Sequence, residues 1–249
     1  FLAVVSIINL FYSDLLYNIR GALISSVCFV NNWWQINLGF SYFEQYVHPS
    51  AFTHLWYVSV LMQLGLLWPL LIVGLRRMKK SPQFIAVVQI VLAVVSAVLM
   101  AVLYAGNGDP SRVYYGTDTR LYAFALGGAL GTVWHPGKVA RERGAGFSHL
   151  AGGIGIVGMV ILGVLSVKLQ DQALLTYRGG MFLSAVVSTV VVAALTVPNS
   201  YVQRLLSFNW LVFLGKCTFS TYLWYYPVLT MGGMTPFLSA NKWIQWIIL

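Results

Sequence analysis

Charged residues are scarce in this sequence. Of its 249 residues only 8% are Asp, Glu, Lys or Arg, and six are acidic. Soluble domains carry about 25% charged residues, so this composition excludes an ordinary soluble protein. The two cysteines, Cys28 and Cys217, lie in apolar segments without the spacing of a metal site or a disulfide framework. We therefore predict no metal site.

Several motifs of soluble enzymes are also missing. The sequence contains no phosphate-binding loop, zinc motif or Gly-x-Ser-x-Gly elbow. The net charge of +9 could suggest nucleic acid, but the basic residues lie in short segments between apolar runs. Orientation in a bilayer explains them better. We expect membrane lipids as partners, and no nucleic acid.

Long apolar runs make up most of the chain, in which 59% of residues are hydrophobic. A bilayer-spanning helix needs about 20 mostly apolar residues. We therefore predict an all-α, polytopic membrane bundle with seven near-complete spans and two truncated ones. We expect this bundle to form a single domain over residues 1–249 that is truncated at both ends. The predicted spans are 1–11, 21–34, 55–75, 84–104, 121–134, 150–167, 181–197, 210–231 and 242–249.

Basic residues are unevenly shared between the segments that connect these spans. Segments 76–80, 135–149 and 198–209 carry eight Lys or Arg and one acid, whereas the alternate segments carry five Lys or Arg and four of the six acids. The positive-inside rule places the first set in the cytoplasm. The outer face would then hold Glu44, His48, His54, Asp118 and Arg120.

The most polar stretch between two apolar runs is 109–120. Thr117 or Asp118 can cap the helix that follows. Arg120 falls in its first turn, where the helix dipole disfavours a cation, so it needs a partner. Asp118 or an anionic ligand would supply one. A surface ion pair in a loop is the alternative interpretation.

Two further stretches contain polar groups beside apolar runs. His54 directly precedes a predicted span and could act as a general base, with Glu44 or Gln63 as partner. Tyr222 lies within the apolar run 210–231. Taken alone, His54 is better explained as an interfacial residue, and the polar groups around Tyr222 as helix-packing contacts.

Three stretches that follow one another along the chain match known sequence motifs. Residues 54–69 resemble "H-x-W-S-L-x-x-E-x-Q-x-Y-L-x-W-P". Residues 111–120, followed by Gly127 and Gly128, resemble "Y-x-x-T-D-T-R…L-x-G". Residues 214–227 are similar to "L-G-x-x-S-Y-x-L-Y-L-W-H-x-P". Each motif alone is loose, but the three in sequence are fairly specific, and together they resemble the acyltransferase 3 family, most of all its bacterial peptidoglycan O-acetyltransferases.

The resemblance implies a multi-pass enzyme of the bacterial plasma membrane. It would move an acetyl group from acetyl-CoA to a hydroxyl of an extracytoplasmic glycan, with peptidoglycan as the expected acceptor. Acetyl-CoA would be the acyl donor, and no bound cofactor is expected. The family's first spans, with an Arg and His motif, would precede residue 1. An extracellular SGNH-type domain would follow residue 249.

The matched motifs also supply the candidate site residues. The catalytic candidates are His54 as base, Tyr115 as acyl carrier, Arg120 as a stabiliser of the oxyanion or phenolate, Asp118 as the residue that orients Arg120, and Tyr222 as a further hydroxyl. The substrate-binding candidates are Ser59, Tyr114 and Trp224.

The chain departs from the family pattern at several positions. Leu61 and Met62 stand where many relatives have acidic residues, and Gly65 replaces a common Tyr. Tyr225 replaces the usual His of the third motif. Loss of the acidic pair leaves a non-catalytic membrane scaffold as one alternative function. A transporter is the other, although no inverted repeat is detectable.

Overall fold

The structure is a computed structural model that describes residues 1–9, 18–43, 50–104, 106 and 108–232. Within these ranges all regular secondary structure is helical, which confirms the predicted all-α class for this part of the chain. A π-helical segment, Thr176–Gly180, leads directly into α9. The α-helices are α1 (Leu2–Asn9), α2 (Ile19–Val27), α3 (Asn31–Asn37), α4 (Leu55–Arg77), α5 (Pro82–Leu103), α6 (Ser111–Tyr115), α7 (Thr117–Val133), α8 (Pro136–Lys168), α9 (Met181–Leu195), α10 (Tyr201–Leu206) and α11 (Asn209–Gly232).

Four helical segments in the described ranges are long and apolar enough to cross a membrane. They correspond to the predicted spans 55–75, 84–104, 150–167 and 181–197. Large apolar side chains on them are exposed, as at Val102 and Val167, which suits contact with lipid rather than water. The total of seven spans and two fragments stays a prediction, and the fragment 242–249 lies outside the described residues, as do Glu44 and His48. The four segments are Leu55–Arg77, Pro82–Leu103, Gly146–Lys168 and Thr176–Leu195.

The predicted span 21–34 is wrong, because two short helices replace it. Helix α2 ends at Val27, α3 begins at Asn31, and Phe29 between them has a left-handed φ of 55°. The segment that begins at Asn31, which we predicted to be a loop, therefore starts with helix α3. The break brings the amides of α3, among them Asn31 and Gln35, into a buried polar network. A straight membrane helix would have left those amides facing lipid without partners.

The predicted basic loop 135–149 is helical as well. Helix α8 begins at Pro136 and is interrupted at Gly144, whose φ of 70° and ψ of −168° lie outside the helical region. Glycine adopts such a conformation without a Cβ clash. The kink separates the basic segment 136–143 from the apolar segment Gly146–Lys168.

Two compact units make up the chain, and each is described by itself. The first comprises residues 1–63 together with residues from 214 onward. Its core is formed by apolar residues of α1, α2 and the segment that leads into α4, including Val5, Ala22 and Phe52. The prediction of a single domain stays a prediction.

The second unit, residues 64–213, is built around the antiparallel pair α5 and α7. Gln89 donates to the hydroxyl of Thr132 near one end, and Ser96 donates to the carbonyl of Asp118 near the other. Small residues such as Ala93 and Ala125 are fully buried between the helices. The pair places the segment 109–120 at one end and the basic segments 76–80 and 136–143 at the other.

Candidate functional site

Asp118 is held by an arginine that the sequence analysis did not single out. Arg112 donates from Nη1 to Oδ1 of Asp118 at 3.1 Å and from Nη2 to Oδ2 at 2.8 Å. The carboxylate of Asp118 is therefore paired with Arg112, and its role in orienting Arg120 stays a prediction. Burial raises the pKa of the Asp118 carboxyl, but the hydrogen bonds and charge of Arg112 outweigh it and hold that pKa below its usual range.

Gly116 makes room for this ion pair. A Cβ at this position would lie 2.3 Å from Nη1 of Arg112, 2.5 Å from Oδ1 of Asp118 and 2.7 Å from Oγ1 of Thr119. Its backbone, with φ −62° and ψ 128°, is open to any residue. The requirement for glycine is thus one of space. Gly116 is also the N-cap of α7, in place of the predicted Thr117 or Asp118.

Hydrogen bonds fix the start of α7 against its neighbours. The hydroxyl of Thr119 donates to the carbonyl of Val113 at 2.7 Å. The hydroxyl of Ser96, on α5, donates to the carbonyl of Asp118 at 2.5 Å and accepts from the backbone N–H of Tyr122 at 3.2 Å. These contacts tie α6 and α5 to the first turn of α7, so the Asp118 carboxylate sits on a firmly held backbone.

Arg120 lies beside the two candidate tyrosines. Its Nε donates to the carbonyl of Tyr114 at 2.9 Å, and its guanidinium lies 4.2 Å from the centre of the Tyr114 ring. Cation–π contacts of this kind favour a fixed position for the cation. Tyr115, the next residue, is fully buried and its ring contacts that of Tyr114. The structure thus brings Tyr114, Tyr115, Asp118 and Arg120 together at one end of the second unit.

The opposite end of the same unit is strongly cationic. Arg76, Arg77, Lys79 and Lys80 are all exposed at the end of α4 and in the turn to α5. Lys79 has a left-handed φ of 55° at a position that favours glycine. Among the described residues the one acid paired at this end is Glu142, which lies 3.9 Å from Lys138. A polyanion would be attracted here.

His54 is buried among aromatic rings in the first unit. It is 3% exposed, and the rings of Tyr222, Tyr225, Tyr226 and Phe1 lie 5.3 to 6.0 Å from its ring, centre to centre. Neither ring nitrogen makes a well-formed hydrogen bond within the described part of the chain. Burial lowers the pKa of His54 to about 4, although nearby backbone groups partly oppose this. The imidazole is therefore neutral at pH 7.

The other candidates of this unit differ in surroundings. The hydroxyl of Tyr222 donates to the backbone carbonyl of His54. Ser59 is buried, and its hydroxyl donates to the carbonyl of Leu55 and accepts from the N–H of Asn31. Trp224 is 40% exposed, as a residue available to a substrate would be. The structure brings His54 and Tyr222 together. The roles proposed for Tyr222, Ser59 and Trp224 stay predictions.

Comparison with known proteins assigns the family. The family model for the acyltransferase 3 type of acyltransferase domain matches residues 2–249. The chain belongs to this acyltransferase family.

Within the described residues, no group of three or more His, Cys, Asp or Glu could hold a metal ion.

Three bacterial relatives illustrate this membership. YrhL of Bacillus subtilis (strain 168), provisionally named a peptidoglycan O-acetyltransferase, is 37% identical over 96% of the chain and 38% of its own length. The peptidoglycan O-acetyltransferase OatA of Listeria monocytogenes is 33% identical over 93% of the chain and 37% of its own length. SACOL0978 of Staphylococcus aureus (strain COL), provisionally named an O-acetyltransferase, is 30% identical over 88% of the chain and 36% of its own length.

The family match has a clear extent. The chain spans less than two fifths of the length of these relatives. No solved structure matches it.

Arg112 is the site residue that sequence reasoning missed. The feature that could have indicated it is the presence of a second arginine inside the stretch 111–120, which matches the family motif.

Proposed function

We propose that this protein is a membrane O-acetyltransferase that moves an acetyl group from acetyl-CoA to a hydroxyl of an extracytoplasmic glycan, with peptidoglycan as the acceptor. The observation that carries the proposal is the motif Thr117–Arg120, with its ion-paired aspartate and tyrosine-bound arginine, in a chain that matches an acyltransferase family along residues 2–249. The name of the relative OatA supports the choice of acceptor.

The charge distribution of the second unit supports a donor that enters from the cytoplasm. Acetyl-CoA carries several phosphate charges, and the exposed cations Arg76, Arg77, Lys79 and Lys80 suit such a polyanion. Helix α7 has 17 residues, and at 1.5 Å per residue it is about 25 Å long. The acetyl group would therefore travel most of a bilayer thickness to reach the end that carries Arg120.

The proposed transfer has two balanced steps. The oxygen of Tyr115 attacks the acetyl carbonyl, the C–S bond of the thioester breaks, and the CoA sulfur leaves with the phenolic proton. The acceptor hydroxyl then attacks the acetyl-tyrosine, and its proton returns to the phenol. Arg120 stabilises the phenolate and the oxyanion. His54, which is neutral at pH 7, acts as a general base that takes up the proton of an attacking hydroxyl and then gives it to the leaving oxygen, so that no proton is gained or lost.

The full-length protein would function in the bacterial plasma membrane as a multi-pass enzyme. Its remaining partners would be membrane lipids and an SGNH-type extracellular domain of the same chain. In this proposal the membrane domain brings acetyl groups to the outer face of the membrane.

Radiolabelled acetyl-CoA and full-length protein in proteoliposomes test the proposal. Wild type should acquire a stable acetyl label, and Tyr115→Phe should not. Arg120→Ala should lower the transfer rate by about 10²–10³, the usual effect of removing a group that stabilises an oxyanion. Arg178→Ala and Tyr201→Phe are matched controls. They make the same two kinds of substitution at an exposed arginine and at a tyrosine of α10, neither of which is a candidate site residue.

The outcomes separate the alternatives. A label that persists in Tyr115→Phe moves the carrier to another hydroxyl. Transfer at wild-type rate in Arg120→Ala removes the role of Arg120. Absence of any transfer by folded full-length protein contradicts the enzyme proposal and favours a scaffold.

A further inference from the structure

We infer that Gln35 and Tyr222 are positioning residues for His54, which hold the peptide carbonyl on each side of its Cα. This inference rests on the proposed function, in which His54 is the base. Neither the motifs nor the comparisons point to Gln35. Its role follows from hydrogen bonds within the first unit.

The backbone at His54 is held mainly by side chains. The carbonyl of Thr53 accepts from Nε2 of Gln35 at 2.8 Å, whereas its backbone donor, the N–H of Trp56, is 3.3 Å away. The carbonyl of His54 accepts from the hydroxyl of Tyr222, whereas its backbone donor, the N–H of Tyr57, is 3.4 Å away. The two side-chain donors come from α3 and α11, so His54 is held from two helices at once.

Gln35 is itself firmly anchored. It is 1% exposed, and its Nε2 also donates to Oδ1 of Asn31 at 2.5 Å. Asn31 in turn donates from Nδ2 to the hydroxyls of Ser25 and Ser26 at 3.2 and 3.1 Å, and its backbone N–H donates to the hydroxyl of Ser59 at 3.2 Å. The network therefore joins α2, α3 and α4. These helices together fix the position of Gln35, and Gln35 in turn holds the carbonyl of Thr53.

The imidazole depends on this backbone for its placement. Its ring nitrogens make no well-formed hydrogen bond within the described residues, so side-chain hydrogen bonds do not orient it. Among the residues that the structure describes, the titratable groups that face it are the phenols of Tyr222, Tyr225 and Tyr226. Movement of the backbone would let water reach the ring, and the pKa of His54, held at about 4 by burial, would rise toward that of an exposed histidine.

The test is Gln35→Met in the full-length protein. Methionine has a similar length but no donor, so the carbonyl of Thr53 loses its shorter hydrogen bond. The acid-side midpoint of the pH profile of kcat/KM should rise by about one pH unit or more toward 6.5, and kcat should fall about tenfold. Carbethoxylation of His54 by diethyl pyrocarbonate, measured by peptide mass spectrometry, should become about tenfold faster, with exposed His149 as internal reference.

Gln89→Met is the matched control. Gln89 is also a fully buried glutamine, but its Nε2 donates to the hydroxyl of Thr132 in the second unit. The substitution should lower stability without moving the acid-side midpoint or the reactivity of His54. Tyr222→Phe removes the other side-chain donor and should shift both readouts, which keeps the test open if Gln35→Met does not fold.

Each outcome is decisive. If Gln35→Met and Tyr222→Phe keep the wild-type midpoint and wild-type His54 reactivity, the positioning role is refuted. If His54→Ala transfers acetyl normally, the base role in the proposed function fails. The reactivity comparison then still decides whether Gln35 holds His54, because it needs no activity.

Discussion

Replacing Gly116 by alanine tests the closest packing at the candidate site. The added methyl group would overlap Nη1 of Arg112, Oδ1 of Asp118 and Oγ1 of Thr119, which lie 2.3, 2.5 and 2.7 Å from its position. Two of these atoms belong to the ion pair, and the third donates to two backbone carbonyls. The groups cannot all keep their hydrogen bonds, so we expect the ion pair to open.

Three contributions set the size of the effect. Opening the ion pair costs about 0.5–1 kcal/mol, because its side chains are 40% and 33% exposed and exposed pairs contribute little. Overpacking costs about 1–3 kcal/mol. Restricting the unfolded chain returns about 0.4–1 kcal/mol, since alanine accepts the backbone angles of Gly116. We expect a net loss of about 2 kcal/mol in the free energy of unfolding.

Thermal unfolding of the detergent-purified protein measures this loss. A destabilisation of about 2 kcal/mol lowers Tm by about 4–8 °C in a chain of this size. Gly127→Ala is the matched control on α7, because no atom lies within 4 Å of its Cβ position. It should be neutral or stabilise the helix by up to about 1 kcal/mol. Gly116→Ala that melts no lower than Gly127→Ala would refute the packing argument.

The pH dependence of the same measurement identifies the ion pair. The pKa of Asp118 in the folded state lies below its unfolded value, so the stability from this group is present above about pH 4 and is lost as the pH falls through the folded pKa. The gap in Tm between Gly116→Ala and Gly127→Ala should therefore narrow in acid. A gap that stays constant would assign the whole effect to overpacking.

Two further predictions concern buried groups. Gly128→Ala should lower Tm relative to Gly131→Ala, because its Cβ would lie 2.5 Å from Nε1 of Trp68 and 2.8 Å from Oε1 of Gln89, whereas Gly131 has open space; equal melting temperatures would contradict this. The pKa of His54 is lowered to about 4, so the unfolded state binds a proton that the folded state does not between about pH 6.5 and 4, and stability should fall as the pH falls through that window. His54→Phe should show a weaker fall over that window in Tm measurements, and an unchanged fall would remove His54 as its source.

The apolar spans could be read from the sequence because they depend on local composition. Segments 55–75 and 84–104 agree closely with α4 and α5. The break in segment 21–34 could not, since its apolar residues outweigh Asn31 and Asn32 in hydropathy. The backbone N–H of Asn31 and the side-chain oxygen of Asn32 find their partners on α4, at Ser59 and Gln63, far along the chain.

At the candidate site, too, some features could be predicted from the sequence and others depend on contacts that only the fold creates. The motif singled out Arg120 and Tyr114 as candidates, and the structure places these two side chains in contact. The pairing of Asp118 with Arg112 depends on the approach of α6 to α7 around Gly116, which no spacing rule indicates. The burial of His54 by tyrosines 168 or more residues away likewise required the fold.

The buried amides of α3 bear on the order of membrane insertion. Gln35 and Asn32 make hydrogen bonds to the carbonyl of Thr53 and the side chain of Gln63, both synthesised later. When α2 and α3 leave the ribosome, these partners have not yet emerged from it, and lipid cannot replace them. We therefore expect the pair to wait at the translocon or the membrane surface until α4 arrives, so that biogenesis of the first unit follows the emergence of its fourth helix.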